Sequence, residues 1–143
     1  MRRITAAAIA ALLATSCLSE HQSFAVDIDS RCWTAPATLV VPNADTVTLR
    51  DVRLTLRHDL AFDGEPIGVT VRTVRPDSMQ YEEHFVLHPS DDRRSAAAIH
   101  DTTQPYRLRV RFDREGDYRI TLTPDRPAEG VLAVGVDIVK SKE

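Results

Sequence analysis

Cysteine, glycine and long apolar runs are scarce in this chain, and each scarcity removes a class of function. Its 143 residues include two cysteines, Cys17 and Cys32. They are too far apart to form a C-x-x-C pair, which excludes a zinc site of that kind. There are five glycines, and none stand in a G-x-G-x-x-G loop that could cradle phosphates. No G-x-S-x-G elbow exists, and Ser78, Ser90 and Ser95 lack a Gly-framed turn. Paired carboxylates leave no local signature, because they meet in space rather than along the chain. Aromatic residues are few: one Trp, three Tyr and four Phe. Positive charge is not in excess, the formal net charge being -3, which argues against nucleic acid as a partner. The only long apolar run, residues 4–13, is shorter than the roughly 20 residues needed to span a bilayer.

That short run nevertheless has a meaning. Met1-Arg2-Arg3 supplies a positive start, residues 4–13 an apolar stretch, and small residues follow, which together read as an export signal. Two endings compete. Ala14-Thr15-Ser16-Cys17 resembles the lipobox cut before a lipidated cysteine, although Ala14 stands where Leu is commoner. Ser23-Phe24-Ala25 resembles an ordinary cleavage site, but would leave a long polar stretch between the apolar run and the cut. The first ending is preferred. It divides the chain into a signal at 1–16, a lipidated Cys17 with a flexible tether over 17–30, and a domain over 31–143. Removal of Arg2 and Arg3 leaves 16 basic side chains against 21 acidic ones, a balance of -5. Lipidation consumes Cys17, so Cys32 is the only remaining thiol and no intrachain disulfide can form. Cys32 is expected to be a small buried residue beside Trp33.

Beyond residue 30 no helical stripe is visible, apart from one turn's worth at 93–98. Apolar residues instead recur with period two, the signature of half-buried strands. Val52, Leu54 and Leu56 alternate with Arg53, Thr55 and Arg57; Ile67, Val69 and Val71 with Thr70 and Arg72. Tyr81, Phe85 and Leu87 mark another strand. Tyr106, Leu108, Val110 and Phe112 alternate with Arg107, Arg109 and Arg111, and Tyr118, Ile120 and Leu122 with Arg119, Thr121 and Thr123. Leu132, Val134, Val136 and Ile138 close the series. Turn residues separate these runs, as in Asp63-Gly64-Glu65-Pro66 and Arg75-Pro76-Asp77-Ser78. Seven or eight such strands predict an all-β, antiparallel β-sandwich of jelly-roll or immunoglobulin-like type.

Three constellations deserve chemical scrutiny. His84 and His88 would converge on a metal if helical, but along a strand four residues separate them by ~13 Å. The other histidines, His21, His58 and His100, show no grouping in the sequence. Residues 59–65 are acidic, yet lack calcium-loop spacing and read as a solvated turn. Arg107, Arg109, Arg111 and Arg119 share a parity and are expected on one outer face. That face is the candidate partner-binding surface, since guanidinium groups read carboxylates and phosphates. Solvent-facing charge that prevents aggregation is the plainer explanation. No metal or cofactor is expected.

The order of these features carries a resemblance. A lipobox and Trp33 precede Asp45-Thr46 and the strand Val52-Arg53-Leu54-Thr55-Leu56-Arg57-His58. Arg75-Pro76-Asp77 follows, and the chain closes with Gly116-Asp117-Tyr118 and Gly130-Val131-Leu132-Ala133-Val134-Gly135-Val136-Asp137-Ile138-Val139-Lys140. Over residues 33–140 this resembles the GldH family of gliding-motility lipoproteins. Members usually carry a Gly- and Trp-containing loop where this chain has residues 90–104. The resemblance implies a non-catalytic lipoprotein of the cell envelope, held at the outer membrane. An acidic run just after a lipidated cysteine can direct export to the surface, and only Glu20 stands near Cys17, so the periplasmic side is expected. Its expected partners are the membrane, through the anchor, and other envelope proteins of a motility or secretion complex. A carbohydrate- or small-ligand-binding lipoprotein on the same sandwich is the alternative, and an envelope hydrolase a third.

Overall fold

The structure, a computed structural model, describes residues 20–89 and 97–143. The signal at 1–16, Cys17 and most of the expected turn at 93–98 lie outside the described residues. The strands are β1 (His21–Asp27), β2 (Cys32–Trp33), β3 (Ala37–Asn43), β4 (Arg50–Asp59), β5 (Ile67–Val74), β6 (Gln80–Leu87), β7 (Ile99–Val110), β8 (Gly116–Pro124), β9 (Ala128–Glu129) and β10 (Val131–Lys140). One four-stranded sheet runs β1-β10-β4-β7, and a second runs β3-β8-β5-β6. The two-residue strands β2 and β9 form a small ladder of their own. Every pairing is antiparallel. The molecule is an all-β sandwich.

The period-two pattern explains how the sheets close. Leu39 and Val41 of β3, Val69 and Val71 of β5, and Ile120 and Leu122 of β8 point inward from one sheet. Leu54 and Leu56 of β4 and Val134, Val136 and Ile138 of β10 point inward from the other. All are almost fully buried, and each such side chain contributes about 1.5–3 kcal/mol of transfer free energy. Trp33 is sealed at one end of this core, its indole N–H donating to the Ala35 carbonyl at 3.0 Å. Cys32 beside it is half-buried rather than fully buried.

The expected tether is in part a strand. Residues His21–Asp27 pair along their whole length with β10. Gln22, Phe24 and Val26 alternate with more exposed neighbours, and Phe24, Val26 and Ile28 pack against the core. The apolar face is short, and its partner strand lies more than a hundred residues away. A polar composition therefore masks it locally, while Phe24 and Val26 supply the burial that holds it.

The β7 alternation also departs from expectation. Register shifts against β4 fall between Arg50 and Val52 and between Val52 and Arg53, so extra β7 residues bulge out of the ladder. Arg109 sits in the left-handed region at φ 55°. The bulge turns Leu108 outward, 61% exposed, and leaves Tyr106 and Val110 only half-buried. Tyr81, expected inward on β6, is likewise exposed at the edge of its sheet.

Candidate functional site

The outer face of the β1-β10-β4-β7 sheet is built in rows, because directly paired antiparallel residues share a face. One row is Ala25, Gly135, Thr55 and Thr103. These short side chains form the floor of a trough. On one side stand Asp27, Ala133, Arg57 and Asp101; on the other, Ser23, Asp137, Arg53 and Pro105. The trough has a volume of about 300 Å³. Gly135 is required there. A Cβ at this position would overlap the Phe24 carbonyl and the Ala25 Cα, so β1 could not lie this close.

The rims are polar and internally paired. Arg57 donates from Nε to Asp101 at 2.8 Å and from Nη2 at 3.2 Å. This bond holds the Asp101 carboxyl below its usual range and raises the Arg57 pKa. Both side chains are more than half exposed, so solvent screening leaves the pair little weight in stability. On the opposite rim Ser23 donates to Asp137 at 2.7 Å, and His21 Nε2 lies 3.4 Å from the same carboxylate and 3.3 Å from the Ser23 hydroxyl.

Ser, His and Asp thus meet, a grouping that no sequence spacing announced. It lacks triad logic. In a triad one imidazole nitrogen faces the hydroxyl and the other faces the carboxylate. Here Nε2 faces both, and the serine proton is directed to the aspartate. The arrangement can recognise a polar partner by hydrogen bonds, but it does not activate Ser23 as a nucleophile.

The arginine row is dispersed, which corrects the expectation of a single face. Arg107, Arg109 and Arg119 lie on β7 or β8, strands of different sheets, so a common parity does not bring them together. Arg107 bonds to Glu83 on β6 and lies 5.5 Å over the Tyr106 ring. Tyr106 donates to the same carboxylate at 2.7 Å, and burial pushes its hydroxyl pKa up. This cluster laces the β6 and β7 edges together. Arg109 uses its amide on Asp51 at 2.9 Å and its guanidinium on the Lys142 carbonyl at 3.2 Å. Arg111 lies beyond the end of β7 and is exposed. Arg119 is exposed on the far sheet, opposite Val40 and Val74.

The histidines also sort by register. His84 lies on β6 and meets Asp125 at 2.5 Å, while His88 follows the end of that strand. Gly68 makes room for the pair, since a Cβ there would overlap both side chains. His58 and His100 are cross-strand partners on β4 and β7, and their rings stack 5.4 Å apart. His58 is buried; its Nδ1 donates to the Asp59 carbonyl at 3.0 Å. Among the described residues, no group of three or more His, Cys, Asp or Glu side chains is placed to hold a metal. Asp63 of the acidic turn is engaged by both terminal nitrogens of Arg126, at 3.0 and 3.1 Å.

Comparison of the chain with protein-family models, with curated proteins and with solved structures finds no match.

Proposed function

We propose that this chain is an exported lipoprotein, anchored at Cys17, whose sandwich acts by association within the cell envelope. The observation that carries the reading is β1. Cleavage after Ala25 would remove most of that strand, including Phe24, which packs on the core. Cleavage before Cys17 leaves the strand whole and its pairing with β10 intact. A processing site that preserves the fold is favoured over one that opens a sheet edge and uncovers apolar surface.

The partner class follows from the resemblance to GldH proteins: other components of an envelope motility or secretion complex at the outer membrane. The periplasmic side is favoured because Glu20 alone is acidic beside Cys17, where a surface-directing acidic run would stand. The paired polar rims of the trough suit hydrogen-bonded recognition of such a partner better than stacking on a sugar. Trp33, which could have stacked, is 1% exposed.

The test is fractionation of cells expressing the full chain or Cys17→Ala, together with metabolic acyl labelling. The parent protein is expected in the membrane fraction carrying label, and the variant unlabelled and released. An unlabelled parent whose mature chain begins after Ala25 would overturn the reading.

A further inference from the structure

If Cys17 bears the acyl chains, the described structure begins very close to the membrane. Three peptide links join Cys17 to Glu20, and at about 3.3–3.6 Å per residue they reach no more than about 11 Å. Glu20 is fixed to the sandwich, its carbonyl accepting from the Lys140 amide at 2.9 Å. The anchor therefore selects one end of the molecule. At that end β1 begins, β4 begins, and β7 and β10 finish.

A depression of about 590 Å³ opens beside the start of β1, lined by Arg53, Arg109, Lys140 and Lys142 together with Leu108. The carboxylates lining it are Glu20 and Asp51. Asp51 is already occupied, accepting from the Ser141 hydroxyl at 2.6 Å and from the Arg109 amide at 2.9 Å. These bonds, the Ser141 one foremost, hold its carboxyl below the usual range. Leu108 stands 61% exposed at the mouth because the β7 bulge turns it out, and Val47, 75% exposed, projects from the β3–β4 loop at the same end. Exposed apolar side chains next to cationic ones are the chemistry of a surface that sits in a lipid headgroup layer.

We infer that this end of the sandwich lies against the membrane that holds the acyl chains. Leu108 and Val47 enter the headgroup layer, and Arg53, Arg109, Lys140 and Lys142 meet its phosphates. The inference rests on the lipoprotein reading above and adds an orientation to it. The outer-face trough then stands side-on to the bilayer, open to partners in the periplasm. The β4–β5 turn with Leu60 points away, because the ten residues of β4 span about 33 Å.

The experiment uses the acylated full-length mature protein in vesicles of phosphatidylethanolamine and phosphatidylglycerol. Leu108→Trp and Leu60→Trp are compared, both at exposed positions. Buried Trp33 contributes the same background to each. A headgroup-spin-labelled lipid is expected to quench the new emission of Leu108→Trp and to leave that of Leu60→Trp unchanged. Lys140→Glu with Lys142→Glu, added to Leu108→Trp, is expected to weaken the quenching. Protein that floats with the vesicles but shows equal quenching at both positions, or more at Leu60→Trp, would overturn the orientation while leaving the anchor standing. Protein that carries no acyl chain and does not float would overturn both.

Discussion

Arg50 is buried between the sheets, and its Nη2 lies 3.3 Å from the Asp45 carboxylate. Asp45 is the organiser of the β3–β4 loop. Its oxygens accept from the Thr48 hydroxyl at 2.5 Å and from the Thr48 and Val47 amides at 3.0 Å each. Those hydrogen bonds, the Thr48 hydroxyl first among them, hold its carboxyl well below the usual carboxylate range, with Arg50 adding to the effect.

A pH dependence follows from that direction. A carboxyl whose pKa is lower in the folded state than in the unfolded chain adds stability above the unfolded value, 3.8 here, and loses it as pH falls toward the folded value. The Tm of the parent protein is expected to hold from neutral pH to about pH 4 and to fall below it. Asp45→Asn is expected to have a lower Tm at neutral pH and a flatter acid limb. Thermal melts from pH 7 to pH 3 check this; parallel curves for the two proteins would remove Asp45 from the account.

The core makes a second, sharper prediction through two leucines of opposite fate. Leu54, 1% exposed in the middle of β4, lies in the core between the two sheets. Leu54→Ala is expected to cost roughly 2–5 kcal/mol, the range for a large buried side chain cut to alanine. Leu108→Ala is expected to fall within about 0.5 kcal/mol of the parent in solution, as exposed positions do. Urea unfolding of both variants measures this, and comparable losses would mean that Leu108 faces the core after all.

Those two residues also show where the sequence is legible and where it is not. Leu54, Val69 and Ile120 can be placed inward from local alternation alone, because each sits in a regular ladder where period two maps directly onto face. Leu108 obeys the same alternation in the sequence, but two register shifts against β4 cancel it. A bulge is a relation between strands and leaves little trace in one of them. The same limit separates Arg119 from Arg107 and joins His58 to His100: sheet membership and register decide both, across dozens of residues. The Ser23–His21–Asp137 grouping was hidden for the further reason that its segment looks like a polar linker.

Gly135 tests whether that segment is a strand in solution. Gly135→Ala would drive a methyl group into the β1 backbone at Phe24 and Ala25, which cannot rotate away as a side chain could. The expected cost is about 1–3 kcal/mol, typical of overpacking, with selective loss of amide protection over residues 21–27. Hydrogen exchange resolved by residue is the measurement. Parent amides in β1 that exchange as fast as those of an open chain would show instead that the segment is a tether.

Gln104 offers the last test, on the side where β6 and β7 face each other. Its amide nitrogen donates to the Val86 carbonyl at 3.1 Å, and its oxygen accepts from the His88 amide at 2.9 Å. One side chain thus occupies two backbone groups along the edge of β6 that pairs with no other strand among the described residues, as a neighbouring strand would. An unpaired edge is a template for another chain, so this cover acts against self-association as well as for stability. Gln104→Ala is expected to lose about 0.5–1.5 kcal/mol per hydrogen bond and to expose that stretch of edge. Sedimentation velocity over a concentration series should then show the variant associating where the parent does not. A variant that stays monomeric while losing the expected stability would mean that Arg107, Tyr106 and Glu83, farther along the same edges, are sufficient to keep them closed.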